Sequence, residues 1–401
     1  SNPPWERITL QEQECCAARD LAIATAPNKA ARGRLIDDLE EANPTLHAEF
    51  TVAIHDAECL GKFLRQSGRC PLTATGDINT YAVFAETIMR QLGAQGRAGV
   101  ILPTGIATSD TCKEFLAHIA EAKHIVRLTS FLEIRDFFFA TDSREPFCLL
   151  TLSSQPMPEP QFAFSLLRVQ QVRDSRRCFT LTSDDLLRLN PNTRTCPVFR
   201  TKADAELMRK ICRCAPVFIH EGLSDGNPWG SRFMTMLHMA NDSQLFFNAP
   251  GQDRAPLYEA KMISQFDHRF ATYGLGGDTH ETTESQKAES GFEVSPRYWV
   301  SESEVLNRLA PRTDEEQRSL TDGSLSPNEL LDLQRRRAPE WLLGFRDITN
   351  SVSERTCLCS LLPRVGVGHT LPLVFVSQLP ELQLCLCGNL NSCVFDFSAR
   401  Q

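Results

Sequence analysis

The sequence predicts an α/β fold followed by a second, mixed α+β domain. Three observations carry this expectation. Helix-like and strand-like segments alternate between residues 77 and 152. A stretch with three prolines, SSQPMPEPQ, interrupts the chain near 153–160. Beyond it the segments lose their regular alternation, and short apolar runs return only near the C-terminus. The domains are therefore drawn at 1–155, with a helical insertion at 6–70, and at 156–401.

Residues 6–68 read as helical. LQEQECCAARDLAIAT contains neither Gly nor Pro, and Pro27 and Pro44 punctuate the residues after it. NPTLHAEFTVAIHDAECLGKFLRQSG spaces its apolar residues for a helix and ends at Gly68. Asp77 or Asn79 can cap a helix from Thr80 to Leu92, with Gly93 to end it. RAGVILP is an apolar run between Gly and Pro, the mark of a buried strand. SDTCKEFLAHIAEA is a capped helix, and IVRLTSFLE and FCLLTL are further strands. ERTCLCSLLPRVGVG and LPLVFVSQL read as strands of the second domain.

A chain of 401 residues, 42% hydrophobic and 23% charged, has the composition of a soluble globular protein. It carries no membrane-length apolar run and no leader, which points to the cytoplasm and away from membranes. The 15 cysteines are scattered, with C-x-C steps at 212/214, 357/359 and 385/387 but no C-x-x-C pair. Reduced core thiols explain them better than a zinc site, so no metal is expected. The net charge is -8, yet residues 161–215 hold eleven basic side chains against five acidic ones. That stretch could follow a nucleic-acid backbone or be a solvated face.

The segment Asn2-Pro3-Pro4-Trp5 has a distinct chemistry. Two prolines give an extended backbone with no N–H to donate. The Asn amide oxygen and the nearby carbonyls are acceptors, and the indole is a flat face. Such a set suits an exocyclic amine on a planar base. By itself a segment of four residues is more often an ordinary turn.

The longer segments resemble the gamma-class N6-adenine DNA methyltransferases of the large restriction-modification type. Asn2, Pro3, Pro4 and Trp5 match that family's catalytic motif, which ends the fourth sheet strand. GDINTYAVFAE resembles the following helix, GRAGVILPTGIATSD the next strand and loop, and SFLEIRDFFFATDSREPFCLLTL the later strand pair. LNPNTRTCPVFRTKADAELMRKI, NPWGSRF, PLYEAKMISQFDHRFATY, PRYWV and SERTCLCSLLPRVGVGH resemble its target-recognition region.

The resemblance implies the C-terminal half of a Rossmann-like, S-adenosylmethionine-dependent methyltransferase domain, then a DNA target-recognition domain. Asn2 and the Pro3 carbonyl would hold the amine. Trp5 and Phe138, with Phe147 as second choice, would cover a flipped adenine from double-stranded DNA. Asp77 and Tyr81 would lie near the cofactor. Arg173, Arg176, Arg177, Arg194, Arg200, Arg209, Arg346, Arg355 and Arg364 would meet DNA. The family's Gly-rich cofactor loop has no counterpart: GLGG at 274–277 and GVGH at 366–369 follow no strand-to-helix pattern. The expectation is thus a fragment, inactive alone, whose cofactor half lies upstream or, in a permuted order, downstream. Restriction or defence-system subunits, or a fused nuclease, are the implied partners. The alternative is a DNA-binding specificity module without catalysis.

Overall fold

The structure is a computed structural model. It describes all residues except 17, 18, 27, 133–136, 138–144, 275, 351 and 352, and the side chains at 14, 16 and 30 are also left aside. The chain divides into two compact units, Ser1–Glu221 and Gly222–Gln401.

The first unit is built on a five-stranded sheet. Its strands are β1 (Arg97–Pro103), β2 (Ile125–Phe131), β3 (Phe147–Ser153), β4 (Gln161–Leu166) and β5 (Phe179–Thr180), in the order β1-β3-β2-β4-β5. β3 runs antiparallel to both neighbours, so β1 and β2 point the same way. β4 lies parallel to β2. The sheet thus continues past the Pro-rich stretch, and the compact unit reaches Glu221 instead of stopping near 155.

Each predicted strand of this unit forms, with side chains buried at Val100 and Leu102 of β1 and along most of β2 and β3. Leu102, Phe115, Ile119, Leu128, Leu150 and Phe162 are fully buried in one core. The helix Thr80–Arg90 is capped by Asn79, whose side chain accepts from the Tyr81 N–H. The long helix Pro44–Gln66 has Asn43 as cap and Pro44 in its first turn. Gly68, at φ 68°, follows its end. Residues 6–8 depart from the helical expectation. Arg7 bridges Asn79 antiparallel, and Ile8 donates to the Ile78 carbonyl at 3.1 Å, so helix begins only at Glu12.

The second unit holds two four-stranded sheets and a small hairpin. One sheet combines β14 (Gly366–Val367), β8 (Arg254–Tyr258), β11 (Tyr298–Ser301) and β7 (Phe246–Phe247). The other combines β13 (Cys359–Pro363), β12 (Trp341–Phe345), β15 (Leu373–Phe375) and β6 (Arg232–Met234). The hairpin is β9 (Ala271–Tyr273) with β10 (Thr279–Glu281). Leu237, Met262, Val300, Leu306, Val367 and Leu373 lie in its fully buried core. Cys385 and Cys387 sit on the helix Pro380–Leu390 and not on a strand, where residues two apart do not share a face. The described cysteines are all free, and no described helix is long and apolar enough to cross a membrane.

Candidate functional site

Ser1 lies along the outer edge of β1. Its nitrogen donates to the Gly99 carbonyl at 2.7 Å, and its carbonyl accepts from the Ile101 N–H at 2.9 Å. Two bonds straddling Val100 are the pattern of a parallel neighbour. The next rungs would join an N–H of residue 3 to the Ile101 carbonyl, and an N–H of residue 103 to the Pro3 carbonyl. Both positions are proline, so neither rung can form.

Past this point Asn2 is exposed, Pro3 buried, Pro4 exposed and Trp5 partly buried. Thr80 clamps the segment. Its Oγ1 donates to the Pro4 carbonyl at 2.8 Å and accepts from the Glu6 N–H at 2.9 Å. Its own N–H returns to the Glu6 carbonyl at 2.9 Å. The two proline carbonyls are therefore not equivalent. That of Pro4 is taken, whereas the Pro3 carbonyl and the Asn2 amide meet no partner among the described residues.

Trp5 packs against the cluster of Phe131, Phe147, Ala163 and Leu166, at the C-terminal ends of β1 and β2 and the start of β3. In open α/β sheets this end is where ligands bind. The indole Nε1 is buried without a partner. Phe131 and Phe147 stack at 5.3 Å and 16°, and Phe137 stands edge-on to them at 5.3 and 5.4 Å. Phe147 is thus a core ring stacked on Phe131, while Phe138 lies outside the described residues. Nearby, the buried hydroxyls of Thr104 and Ser130 bond each other at 2.8 Å. Sequence reasoning passed over Thr80 and Phe137. Thr80 looked like nothing more than the first residue of a helix, and no spacing signal marks Phe137 above its neighbours.

The residues expected near a cofactor are engaged elsewhere. Asp77 accepts from Thr9 Oγ1 at 3.2 Å and faces Arg7 at 3.7 Å. Tyr81 is buried with its hydroxyl 3.8 Å from Cys112 Sγ, and burial pushes its pKa far above the ordinary phenol range. Gly274, Gly276 and Gly277 lie between β9 and β10, and GVGH begins at β14; among the described residues neither stretch leads from a strand into a helix. The described residues therefore do not fit an S-adenosylmethionine cradle. No described group of three or more His, Cys, Asp or Glu side chains could hold a metal ion.

The arginines separate into two kinds. Arg176 binds Asp174 through Nε and an Nη, at 3.0 and 2.9 Å, and Arg209 binds Asp185 at 2.9 Å. Arg346 gives Nε and an Nη to the Ile263 carbonyl, and burial pulls its pKa down. Arg355 bonds the Asn391 carbonyl and Cys393 Sγ, with Asp396 at 3.9 Å. Arg364 gives one N–H to the Arg335 carbonyl at 3.1 Å. By contrast, Arg173, Arg194 and Arg200 are exposed, and Arg177 half-buried, without side-chain partners among the described residues. Arg194 has φ 52°. In QFDHRF, Asp267 pairs with Lys287 at 2.5 Å and accepts from the Arg269 N–H at 2.8 Å, which makes that cluster a turn clasp.

No family model matches the chain, and no curated protein matches it. Among solved structures it is similar to the type IIG restriction endonuclease BpuSI, with 11% identity and a TM-score of 0.35 over 83% of this chain and 40% of that one. It is similar to the methyltransferase subunit of a type I restriction-modification system from Streptococcus thermophilus, with 12% identity and a TM-score of 0.27 over 34% of this chain and 35% of that one. It is also similar to the type IIL restriction-modification enzyme MmeI, solved in complex with DNA, with 8% identity and a TM-score of 0.40 over 96% of this chain and 42% of that one. The structural neighbours are restriction-modification enzymes, and the chain spans about two fifths or less of the length of each. At these scores the likeness assigns neither an activity nor any residue.

Proposed function

We propose that this chain is the amine-holding part of an adenine-N6 DNA methyltransferase in a restriction-modification or phage-defence system. The observation that carries the reading is that two acceptors beyond the last rung on β1, the Asn2 amide and the Pro3 carbonyl, meet no partner among the described residues. Asn2 and Pro3 take the two hydrogens of the N6 amine, which turns its lone pair outward. Trp5 covers one ring face and Phe138 the other. The base must leave the stack to reach them, so the substrate is a flipped nucleotide of double-stranded DNA. These residues are neutral; they contribute position and exclusion of water, not a proton transfer. The proposed methyl donor is S-adenosylmethionine, and no step through it is derived from this chain. In this reading the unit Ser1–Glu221 belongs to the catalytic part and Gly222–Gln401 to target recognition, and the chain alone is inactive.

A second reading, a DNA specificity module without catalysis, draws on the unpartnered Arg173, Arg194 and Arg200. Cells carrying the intact gene or its Asn2→Ala variant separate the two. N6-methyladenine mapped along their DNA should disappear from one sequence motif in the variant, while DNA binding survives. An unchanged methylation map would defeat the catalytic reading.

A further inference from the structure

We infer that the concavity edged by Arg254, Arg335, Arg336 and Arg364 in the second unit binds a backbone phosphate of duplex DNA. The inference rests on the DNA reading above and names a contact within it. The concavity is open and about 630 Å³ in volume. Arg254 begins β8, Arg335 and Arg336 end the helix Pro327–Arg337, and Arg364 joins β13 to β14. Three separate elements thus bring guanidinium groups to one rim.

The four arginines are not equally occupied. Arg335 is spent on the chain: Nε and one Nη hold Glu302 at 3.0 and 2.7 Å, and the other Nη holds Asp332 at 2.9 Å. Arg254 sits over the Phe247 ring with its Cζ 3.7 Å from the centroid, and gives one Nη to the Ala249 carbonyl at 2.9 Å. Arg364 gives one Nη to the Arg335 carbonyl. Arg336 is exposed and gives no N–H to any partner among the described residues. A guanidinium carries five N–H donors, so Arg254 and Arg364 are anchored yet keep most of theirs. Anchoring in advance lowers the entropy lost when a ligand is gripped.

Charge and shape then select the ligand. With Glu302 matched by Arg335, the rim retains Arg254, Arg336 and Arg364 against Glu340. Like charges held together favour an anion between them. A phosphodiester presents its two charged oxygens from a tetrahedral centre, so forks from different elements can reach it from outside one plane, whereas a carboxylate's two oxygens are best met within its own plane. No aromatic side chain lines the concavity, so a nucleobase would find no stacking face there. That favours a phosphodiester on an outer strand over a free nucleotide. The contact would be indifferent to sequence.

The test is duplex binding by the full chain, followed by fluorescence anisotropy of a labelled duplex across a salt series. Arg336→Ala is the clean variant, because that side chain supports nothing else. Arg254→Ala and Arg364→Ala are its companions, with unchanged thermal melting as the check on folding. Each should flatten the dependence of log K on log salt by about one unit, equally for unrelated sequences. Arg318→Ala, on the helix Asp314–Thr321, removes an exposed arginine outside the concavity and should leave the slope alone. If the wild-type chain binds duplex and Arg336→Ala and Arg364→Ala keep its slope, the site is refuted while the DNA reading stands. If pyrophosphate binds the concavity in calorimetry but duplex binding ignores these variants, it is a small-anion site and the inference falls. If the wild-type chain shows no salt-dependent duplex binding, the DNA reading itself falls.

Discussion

Pro103→Ala gives a direct test of how the acceptor pair is kept open. An alanine at 103 restores a backbone N–H on the edge of β1 that Ile101 uses to reach Ser1. By the register of that rung, the new donor points at the Pro3 carbonyl. A backbone hydrogen bond formed there is worth about 0.5–1.5 kcal/mol net. Stability should therefore hold or rise, within roughly 2–4 °C of melting temperature for a unit of this size. In the proposed chemistry the same bond occupies the acceptor of the amine. A competitor of that strength lowers the rate by roughly two- to tenfold, because the carbonyl keeps a second lone pair. The assay is single-turnover methylation by the intact enzyme beside a thermal melt of the same preparation. A rate loss without a stability loss is the signature. Wild-type turnover in Pro103→Ala would refute the idea that the Pro3 carbonyl acts on the substrate.

Thr80→Val removes the donor to the Pro4 carbonyl and the acceptor of the Glu6 N–H; both bonds are at the surface, so the expected loss is about 1–2 kcal/mol. Turnover should fall more than DNA affinity, Thr80→Ser should restore it, and failure of that rescue would remove Thr80 as a positioning residue. Arg200→Ala should flatten the salt dependence of DNA binding by about one unit with stability kept within roughly 0.5 kcal/mol. Arg346→Ala should instead destabilise the second unit by about 1–3 kcal/mol with the slope unchanged, since its guanidinium serves the Ile263 carbonyl; the reverse pattern would overturn this division of the arginines. Glu302 has its pKa held below the ordinary 4.5 by its hydrogen bonds to Arg335, against the opposing effect of burial. Its contribution is present above that value and lost as pH falls through the lower folded value, so melts taken across the carboxylate range should decline toward acid less steeply in Glu302→Gln. Identical acid slopes would count against it.

Much of the first unit was legible because its signals are local. RAGVILP became β1, FCLLTL became β3, and Asn79 caps its helix, each from a run of a few residues. The pairing was not legible. Nothing in FCLLTL says that it inserts between β1 and β2 and runs against both, since that depends on contacts distant in sequence. The Pro-rich stretch looked like a domain border, yet Gln161–Leu166 beyond it joins the same sheet. For the site, the identity of Asn2-Pro3-Pro4-Trp5 was readable, but not the difference between its two proline carbonyls. That difference rests on Thr80, seventy-six residues from Pro4. The arginines were legible only as charge; whether Arg346 faces a carbonyl or the solvent is set by folding.

The motif's composition follows from these contacts. A strand beside β1 would ordinarily spend its carbonyls on the ladder. Proline at 3 stops the ladder from its own side, and proline at 103 stops it from the other. Proline at 4 then fixes a second φ, and Thr80 fixes the carbonyl that follows it. Between Pro3 and Glu6 the backbone keeps few free torsions, so the Pro3 carbonyl is placed without a ligand to order it. Fixing a residue's backbone costs about 1–2 kcal/mol, and here that cost is met on folding, before any amine arrives. A glycine-rich loop could offer the same carbonyls, but it would lose that conformational freedom again at each binding event. The proposed chemistry needs two acceptors at a set distance and no titrating group, and a rigid neutral segment at the end of a sheet meets that need.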